Sequence, residues 1–303
     1  MTKKSAAIVF FGSGPVAAAS LRLLHHNFAI EAVVTKPRPA HHHGPVPVLE
    51  TAAALGLPLR TAATRAALDA LMAERPFQSQ LAVLIDFGVI VSQRVIDYFS
   101  KGIINSHFSL LPEWRGADPI TFAILSGQHQ TGVSLMLLVA AMDEGPLLAQ
   151  MPYPLSPTVT TPELTDGLVK LSYELLVHTV PAYLAGTVRP RPQDPTITPT
   201  YSRRLTKDDG IVDWTKPAVQ LEREVRAFVD WPKSTARLAG KEVVIVEGRV
   251  DTQHHGKPGT VCVEGKQLFI CCEQDALELL KLKPAGKPSM SAAAFLAGYR
   301  QSL

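Results

Sequence analysis

Ala7-Ile-Val-Phe-Phe-Gly-Ser-Gly-Pro-Val-Ala17 is an apolar run that stops on a glycine turn and resumes as the start of a helix. The run is too short and too soon interrupted for the apolar region of a leader, and no small-residue cleavage site follows, so it reads as a first buried strand. Gly12-Ser13-Gly14-Pro15-Val16-Ala17 fits the pattern G-x-G-x-x-A between strand and helix, which opens an NAD-dependent oxidoreductase as one reading. The second strand, however, ends near Thr35-Lys36 with no acidic residue for a ribose hydroxyl; Lys36 and Arg38 would suit a 2′-phosphate instead. The commoner meaning of such a turn is that glycine lets a helix start tightly against a sheet.

Working outward, β-rich runs alternate with helical spacing through the first 185 residues, the pattern of a parallel sheet covered on both faces. Strands are expected at 7–11, 31–35, 81–85, 102–105 and 133–138. Helices are expected at 17–24, 49–55, 65–73, 93–99 and 161–184, the last with Thr161 as its cap, Pro162 at its first position and Gly186 past its end. Residues 188–199 then hold four prolines in twelve positions, which predicts a stiff extended connector. Beyond it, a helix at 218–228 precedes short strands at 235–238, 242–250, 259–263 and 267–272, separated by glycine turns, as in a small open β-barrel. The expected architecture is therefore α/β: a Rossmann-like domain over 1–187, a linker over 188–202 and an OB-like barrel over 203–303.

A chain of 303 residues, 46% of them hydrophobic, can bury a sizeable core. No apolar stretch approaches the roughly 18 to 20 residues that span a bilayer, so a cytoplasmic protein with no membrane partner is expected. Cys262, Cys271 and Cys272 lie in strand-like contexts, odd in number and without Cys-x-x-Cys spacing, which argues for buried thiols in a reducing compartment rather than disulfides or zinc. The charge is uneven. Residues 203–303 carry 16 Lys/Arg against 13 Asp/Glu, while 1–202 carry 14 against 14, a weak pointer to a polyanionic partner in the last third. His41-His42-His43-Gly44 reads as an exposed loop, because successive side chains diverge instead of converging on one ion; His254-His255-Gly256 reads as a turn.

Chemistry concentrates downstream of the strand that ends near Asn105. Asn105-Ser-His-Phe-Ser-Leu-Leu-Pro112 places an amide and an imidazole at the carboxyl end of that strand, where open α/β sheets carry their sites, and Asp143 follows 36 residues after His107. Asn105 and His107 can each donate to a carbonyl oxygen gaining negative charge, and Asp143 can hold the imidazole and receive a proton. These are the parts needed to move an acyl group onto an amine without a covalent nucleophile.

With Thr131-Gly-Val-Ser-Leu-Met136 and Met142-Asp-Glu-Gly145 added, the stretch from Asn105 through Trp114-Arg-Gly-Ala-Asp-Pro-Ile120 resembles the signature of the methionyl-tRNA formyltransferase family. Tyr201 to Trp214, Arg226-Ala-Phe-Val-Asp-Trp-Pro232 and Leu282 to Arg300 resemble that family's carboxyl domain, so the likeness covers nearly the whole chain. It departs in two places. The basic loop that usually follows Arg38-Pro-Ala is shortened to His-His-His-Gly, and Phe108 stands where a small residue is frequent.

The resemblance implies formyl transfer from 10-formyltetrahydrofolate to the α-amino group of methionyl initiator tRNA, with no metal and no obligate protein partner. It implies Asn105, His107 and Asp143 as catalytic residues. Folate would lie against Phe87, Gly88, Val89, Ile90, Ser109, Leu110, Leu111, Pro112, Ala140 and Met142. The tRNA would meet Arg38, Arg203, Arg204, Lys207, Lys281, Lys283 and Lys287. The alternatives are an N-formyltransferase for an amino-sugar nucleotide, a formyl-folate hydrolase, and a tRNA-binding module with a dead site, which the presence of all three catalytic residue types disfavours.

Overall fold

The structure, a computed structural model, describes residues 6–41 and 44–303; His42 and His43 of the expected exposed loop lie outside the described residues. The chain divides into two compact units. One holds the chain up to Pro119 with 130–154 and 165–202; the other holds 120–129, 155–164 and 203–303.

In chain order the elements begin β1 (Ala7–Phe11), α1 (Pro15–Asn27), β2 (Ala29–Thr35), α2 (Pro47–Ala54), β3 (Leu59–Thr61), α3 (Arg65–Ala73), β4 (Ala82–Leu84), α4 (Gln93–Tyr98) and β5 (Ile103–His107). They continue as β6 (Arg115–Gly116), α5 (Pro119–Ser126), β7 (Gln130–Leu137), β8 (Leu147–Pro154), α6 (Thr161–Leu184) and β9 (Tyr201–Ser202). The main sheet of the first unit runs β3-β2-β1-β4-β5-β7-β8. β1 to β5 are mutually parallel, and of these β1 and β4 are continuous apolar strands, buried over nearly all their length as a strand covered on both faces is.

The wholly parallel expectation fails at the far edge, where β7 is antiparallel to β5 and β8 antiparallel to β7. The reason is local. The Ser109–Pro112 turn doubles back on β7: Ser134 Oγ donates to the Ser109 carbonyl (2.6 Å) and accepts the Leu111 N–H (2.9 Å), so β7 pairs with β5 in the opposite sense. The strands β3 and β8 and the helix α5 are additions to the elements expected from the sequence.

One face of the sheet is sealed by Val9, Phe11, Val34, Leu84 and Ile103 packed on Leu68, Met72, Val95 and Phe99. Phe11 meets Phe87 and Phe99 edge-on, at 5.4 and 6.0 Å between ring centres. Burying each such ring stabilises the fold by about 1.5–3 kcal/mol. Thr64 and Ser92 cap α3 and α4 by accepting the N–H groups of Ala67 and Val95. Thr161 is not the cap expected for α6. It lies inside the helix and its hydroxyl donates to the Ala227 carbonyl, while Glu163 accepts both the N–H and the hydroxyl of Thr160.

Residues 188–202 are packed within the first unit and are not a free connector. Arg191 exchanges backbone hydrogen bonds with Leu147, and β9 pairs with β6. Proline removes donors, but the N–H groups of Val188, Arg191, Ile197 and Thr200 are paired with backbone carbonyls.

The second unit contains α7 (Ala218–Ala227), β10 (Ser234–Leu238), β11 (Lys241–Asp251), β12 (Val261–Glu264), β13 (Gln267–Cys271), β14 (Ala276–Pro284), β15 (Met290–Ser291) and α8 (Ala292–Tyr299). Its strands form an open antiparallel sheet in the order β10-β11-β14-β13-β12, with β15 on β14. Register shifts around Glu247 bend β11, a device that lets a small sheet coil over its core. That core joins Leu221, Val225, Val243, Ile245, Leu277, Leu279, Leu282 and Phe295. Cys271 and Cys272 are buried, Cys262 is half-buried, and all three are free thiols.

Candidate active site

Side chains two apart on a strand share a face, so Ile103, Asn105 and His107 of β5 point the same way. Ile103 is in the core, whereas Asn105 and His107 stand beyond it at the end of the strand. Ser106, on the opposite face, hydrogen-bonds Ser172 of α6 at 2.7 Å. Asp143 comes from the loop between β7 and β8 and has a left-handed backbone, φ +53°. The sequence-predicted trio therefore meets in space: Asn105 Nδ2 donates to Asp143 Oδ1 across 3.4 Å, and His107 Nδ1 faces the same oxygen at 3.7 Å. All three are nearly closed off from solvent.

The second ring nitrogen fixes the tautomer. His107 Nε2 is 2.8 Å from the Trp114 carbonyl oxygen, which can only accept, so this nitrogen carries a proton. Nδ1 is then attracted to Asp143 when it too is protonated. Asp143 is held on its other side by the Gly116 N–H, which donates to Oδ2 at 2.8 Å. Gly116 has φ +114°, and a Cβ there would stand 2.1 Å from the Ser202 carbonyl oxygen, so only glycine lets β6 and β9 approach this closely.

A further support escapes the sequence reading. Gln193 Nε2 donates to the Asp143 carbonyl (2.7 Å) and the Gly145 carbonyl (3.1 Å), pinning the loop by its backbone. Arg115 orients that amide by donating to Gln193 Oε1 at 2.7 Å and pairs with Glu144 at 3.0 Å. Trp114, Arg115 and Gly116 lie inside the stretch already singled out. Gln193 lies among the prolines of residues 188–199, where nothing local distinguishes it from connector.

The folate candidates separate by environment. Phe87, Ser109 and Leu111 are buried: Ser109 Oγ donates to the Glu113 carbonyl, and Gln150 Nε2 donates to the Leu111 carbonyl at 2.8 Å. Pro112 is buried too, following a cis peptide bond from Leu111, while Leu110 is half-buried against Gly132. Val89 packs partly on the core, whereas Gly88, Ile90, Ala140 and Met142 are exposed. Gly88 has φ +65°, and a Cβ there would stand 3.0 Å from Lys36 Nζ.

The basic candidates fall in both units. Arg38 is engaged within its own loop by the Gly44 carbonyl and Glu50. In the second unit Arg203 makes a two-point pair with Asp209, and Arg204 and Lys207 are exposed beside it. Lys281 and Lys283 project from one face of β14 while Leu282 between them is buried; Lys287 is exposed in the turn after that strand. Among the described residues no His, Cys, Asp and Glu side chains gather as a metal-holding group, and no helix is long and apolar enough to cross a membrane.

Comparison with known proteins identifies the family. Residues 6–180 match the family model "Formyl transferase" and residues 204–300 match "Formyl transferase, C-terminal domain". The chain is 38% identical over 306 residues to the methionyl-tRNA formyltransferase of Roseiflexus sp. (strain RS-1), covering 97% of this chain and 93% of the relative. It is 40% identical over 294 residues to the enzyme of that name from Stutzerimonas stutzeri, covering 93% and 91%. In fold it is similar to WlaRD, a sugar 3N-formyl transferase, with a TM-score of 0.69, 16% identity, and coverage of 94% of this chain and 100% of that one. It is also similar to HypX from Aquifex aeolicus in complex with tetrahydrofolic acid, with a TM-score of 0.64, 16% identity, and coverage of 97% and 47%.

Proposed function

The chain belongs to the methionyl-tRNA formyltransferase family, and from that premise we propose that it moves the formyl group of 10-formyltetrahydrofolate onto the α-amino group of methionine carried by initiator tRNA. It is an enzyme of formyl transfer, and we assign its work to translation initiation in the cytoplasm. The observation that carries the reading is the convergence of Asn105 Nδ2 and His107 Nδ1 on one oxygen of Asp143. The Asn105 amide, and His107 Nδ1 once it carries a second proton, are the donors that can turn from this carboxylate to a formyl oxygen that becomes an alkoxide.

The amine must attack as the neutral base. A free α-amino group titrates near 7.7–8.0, and the ester lowers this further, so no strong base is needed. Its nitrogen forms a bond to the formyl carbon, and the carbonyl electrons move onto oxygen. Asn105 and His107 donate to that oxygen, interactions worth about 3–4 kcal/mol each in comparable sites. Collapse breaks the bond to N10 of the folate; the amine gives up a proton, and N10 receives one, with Asp143 the group placed to relay it.

For the folate we propose the slot framed by Phe87, Gly88, Val89 and Ile90, the turn of Ser109, Leu110, Leu111 and Pro112, and Ala140 and Met142. The exposed members supply contact surface, and the buried ones hold its shape. For the tRNA we propose the basic residues Arg38, Arg203, Arg204, Lys207, Lys281, Lys283 and Lys287, with phosphate contacts supplied mainly by 203–303. The division of labour is a catalytic domain over 1–187, a connecting segment over 188–202 and a tRNA-binding domain over 203–303.

The test is a formylation assay with charged initiator tRNA and, in parallel, with an amino-sugar nucleotide, both with 10-formyltetrahydrofolate. Turnover on the tRNA and none on the sugar is expected. The reverse result would replace the acceptor.

A further inference from the structure

The G-x-G-x-x-A turn raises a question that formyl transfer does not answer: what occupies the start of α1, where the dinucleotide-binding form of such a turn receives a phosphate. Gly14 is the N-cap of α1 and offers no side chain, and no acidic residue lies in the helix's first turn. The carboxylate comes from elsewhere. Asp86, just past β4, accepts the Ala17 N–H with its carboxyl group, and its carbonyl accepts the N–H groups of Ser13 (2.9 Å) and Gly14 (3.3 Å). A Cβ on Gly14 would lie 1.8 Å from Asp86 Oδ2, so the acid occupies the space that glycine leaves.

One local rule is broken to keep the acid there. Asp86 has φ +46°, outside the ordinary range of a residue with a side chain. Asp86 is exposed as a residue, yet crowding of its carboxyl by protein pushes that group up to about 6, with Lys36 pulling down and Asp118 pushing up. Burial around the acid group, and not the accessibility of the residue as a whole, governs that shift. The neighbouring Lys36 stands against Gly88, so the seat lies in the crevice between the ends of β1 and β4, where open α/β sheets bind ligands.

We infer that Asp86 is a built-in anion that fills the phosphate seat at the start of α1 and makes this crevice refuse acceptors that carry a phosphate near their amine. It is a specificity residue acting by repulsion: a fixed like charge on the spot a phosphate would take costs the wrong acceptor more than any contact costs the right one. An aminoacyl end whose phosphates are held elsewhere on the protein does not meet it. The inference rests on the formyl-transfer reading, since it concerns the choice of acceptor.

The experiment compares binding of dTDP, a plain nucleoside diphosphate, to the wild-type chain and to Asp86→Ala and Asp86→Asn by calorimetry at pH 7.5, with thermal unfolding as the check of folding. Wild type should show no saturable binding in the millimolar range. Asp86→Ala, which frees charge and space, should bind at least about tenfold more tightly than wild type, and Asp86→Asn, which frees the charge alone, should gain less. An unaltered affinity in a folded Asp86→Ala variant overturns the inference, as does saturable binding to wild type equal to that of the variant. If Asp86→Ala unfolds, the near-isosteric Asp86→Asn decides by the same comparison with wild type. Wild-type formylation of charged initiator tRNA, assayed on the same preparation, separates the two readings: its absence removes the proposed reaction while leaving the binding comparison intact.

Discussion

The backbone N–H of Gly116 donates to Oδ2 of Asp143 across 2.8 Å, so the carboxylate of the candidate site is anchored by β6, which itself depends on a glycine lying against Ser202 of β9. The other oxygen, Oδ1, is left to Asn105 and His107. One carboxylate thus has one oxygen fixed by scaffold and one turned toward the chemistry.

Asp143→Asn, His107→Ala and Asn105→Ala should each lower kcat/KM for formylation by about two orders of magnitude or more, since each removes a donor, or the group that orients one, from the developing oxyanion. Thermal unfolding should stay near wild type for Asn105→Ala, whose side chain makes one long hydrogen bond at 3.4 Å. Near wild-type turnover in all three at saturating folate and tRNA would show that the chemistry lies elsewhere.

Gln193→Ala removes two donations to the backbone around Asp143, each worth about 1 kcal/mol. The carboxylate should then sample positions away from His107, and turnover should fall about tenfold. KM for the folate should change much less. A Gln193→Glu variant, which cannot donate to those carbonyls, should behave like the alanine, and its retention of full activity would sink the positioning role.

Much of this is legible in the sequence because it rests on local rules. β1 and α3 match their expected limits, since a buried parallel strand is a continuous apolar run and residues 65–73 carry helical apolar spacing. The trio Asn105, His107 and Asp143 is legible through residue type and spacing. β14 is not: Ala276–Pro284 is rich in Leu, Glu and Lys, residues that favour helix, and only its place at the centre of a sheet makes it a strand. Gln193 and Asp86 are equally hidden, because each acts on residues far away in the chain.

His254, which the sequence places in a simple turn, is clamped, with Nδ1 2.7 Å from Asp251 and Nε2 3.2 Å from Glu264, its ring stacked on Phe269. The hydrogen bond to Asp251 is the main reason its proton is held above the ordinary imidazole value, with Glu264 adding to it. A raised folded value contributes stability that is complete below the unfolded value near 6.5 and is lost as pH rises through the folded one. The Tm of wild type should therefore fall relative to His254→Gln between about pH 6 and pH 9. A constant Tm difference over that span would exclude the linkage.

Asp86 is a carboxylate whose linkage runs in the same direction as that of His254. Burial raises its folded value to about 6, so the folded chain holds this proton more tightly than the unfolded one, and the contribution is complete near pH 4 and lost as pH rises through about 6. Asp86→Asn, which cannot ionise, should gain stability over wild type as the pH goes from about 4 to 7. Unfolding curves at those two pH values check the sign; a variant that loses ground with rising pH contradicts it.

The cations proposed to meet the tRNA should differ by how their charge is already spent. Arg203 is locked onto Asp209 by two hydrogen bonds, and the pair is close to neutral from a distance. Lys283 instead projects from β14 across the ladder from Val244, with no acid opposite it. Removing one Lys–phosphate ion pair should shallow the slope of log affinity against log salt by about 0.7 to 0.9. Lys283→Gln should produce that change, and the combined change of Lys281, Lys283 and Lys287 to Gln about two to three times as much, whereas Arg203→Gln should leave the slope nearly as it was because a cation already spent on Asp209 holds no phosphate. Binding of initiator tRNA measured from low to physiological salt gives the slopes. Equal slopes for wild type and the triple variant would place the phosphate-binding groups on other residues, and a larger effect from Arg203→Gln than from Lys283→Gln would mean that the Asp209 pair opens to receive the RNA.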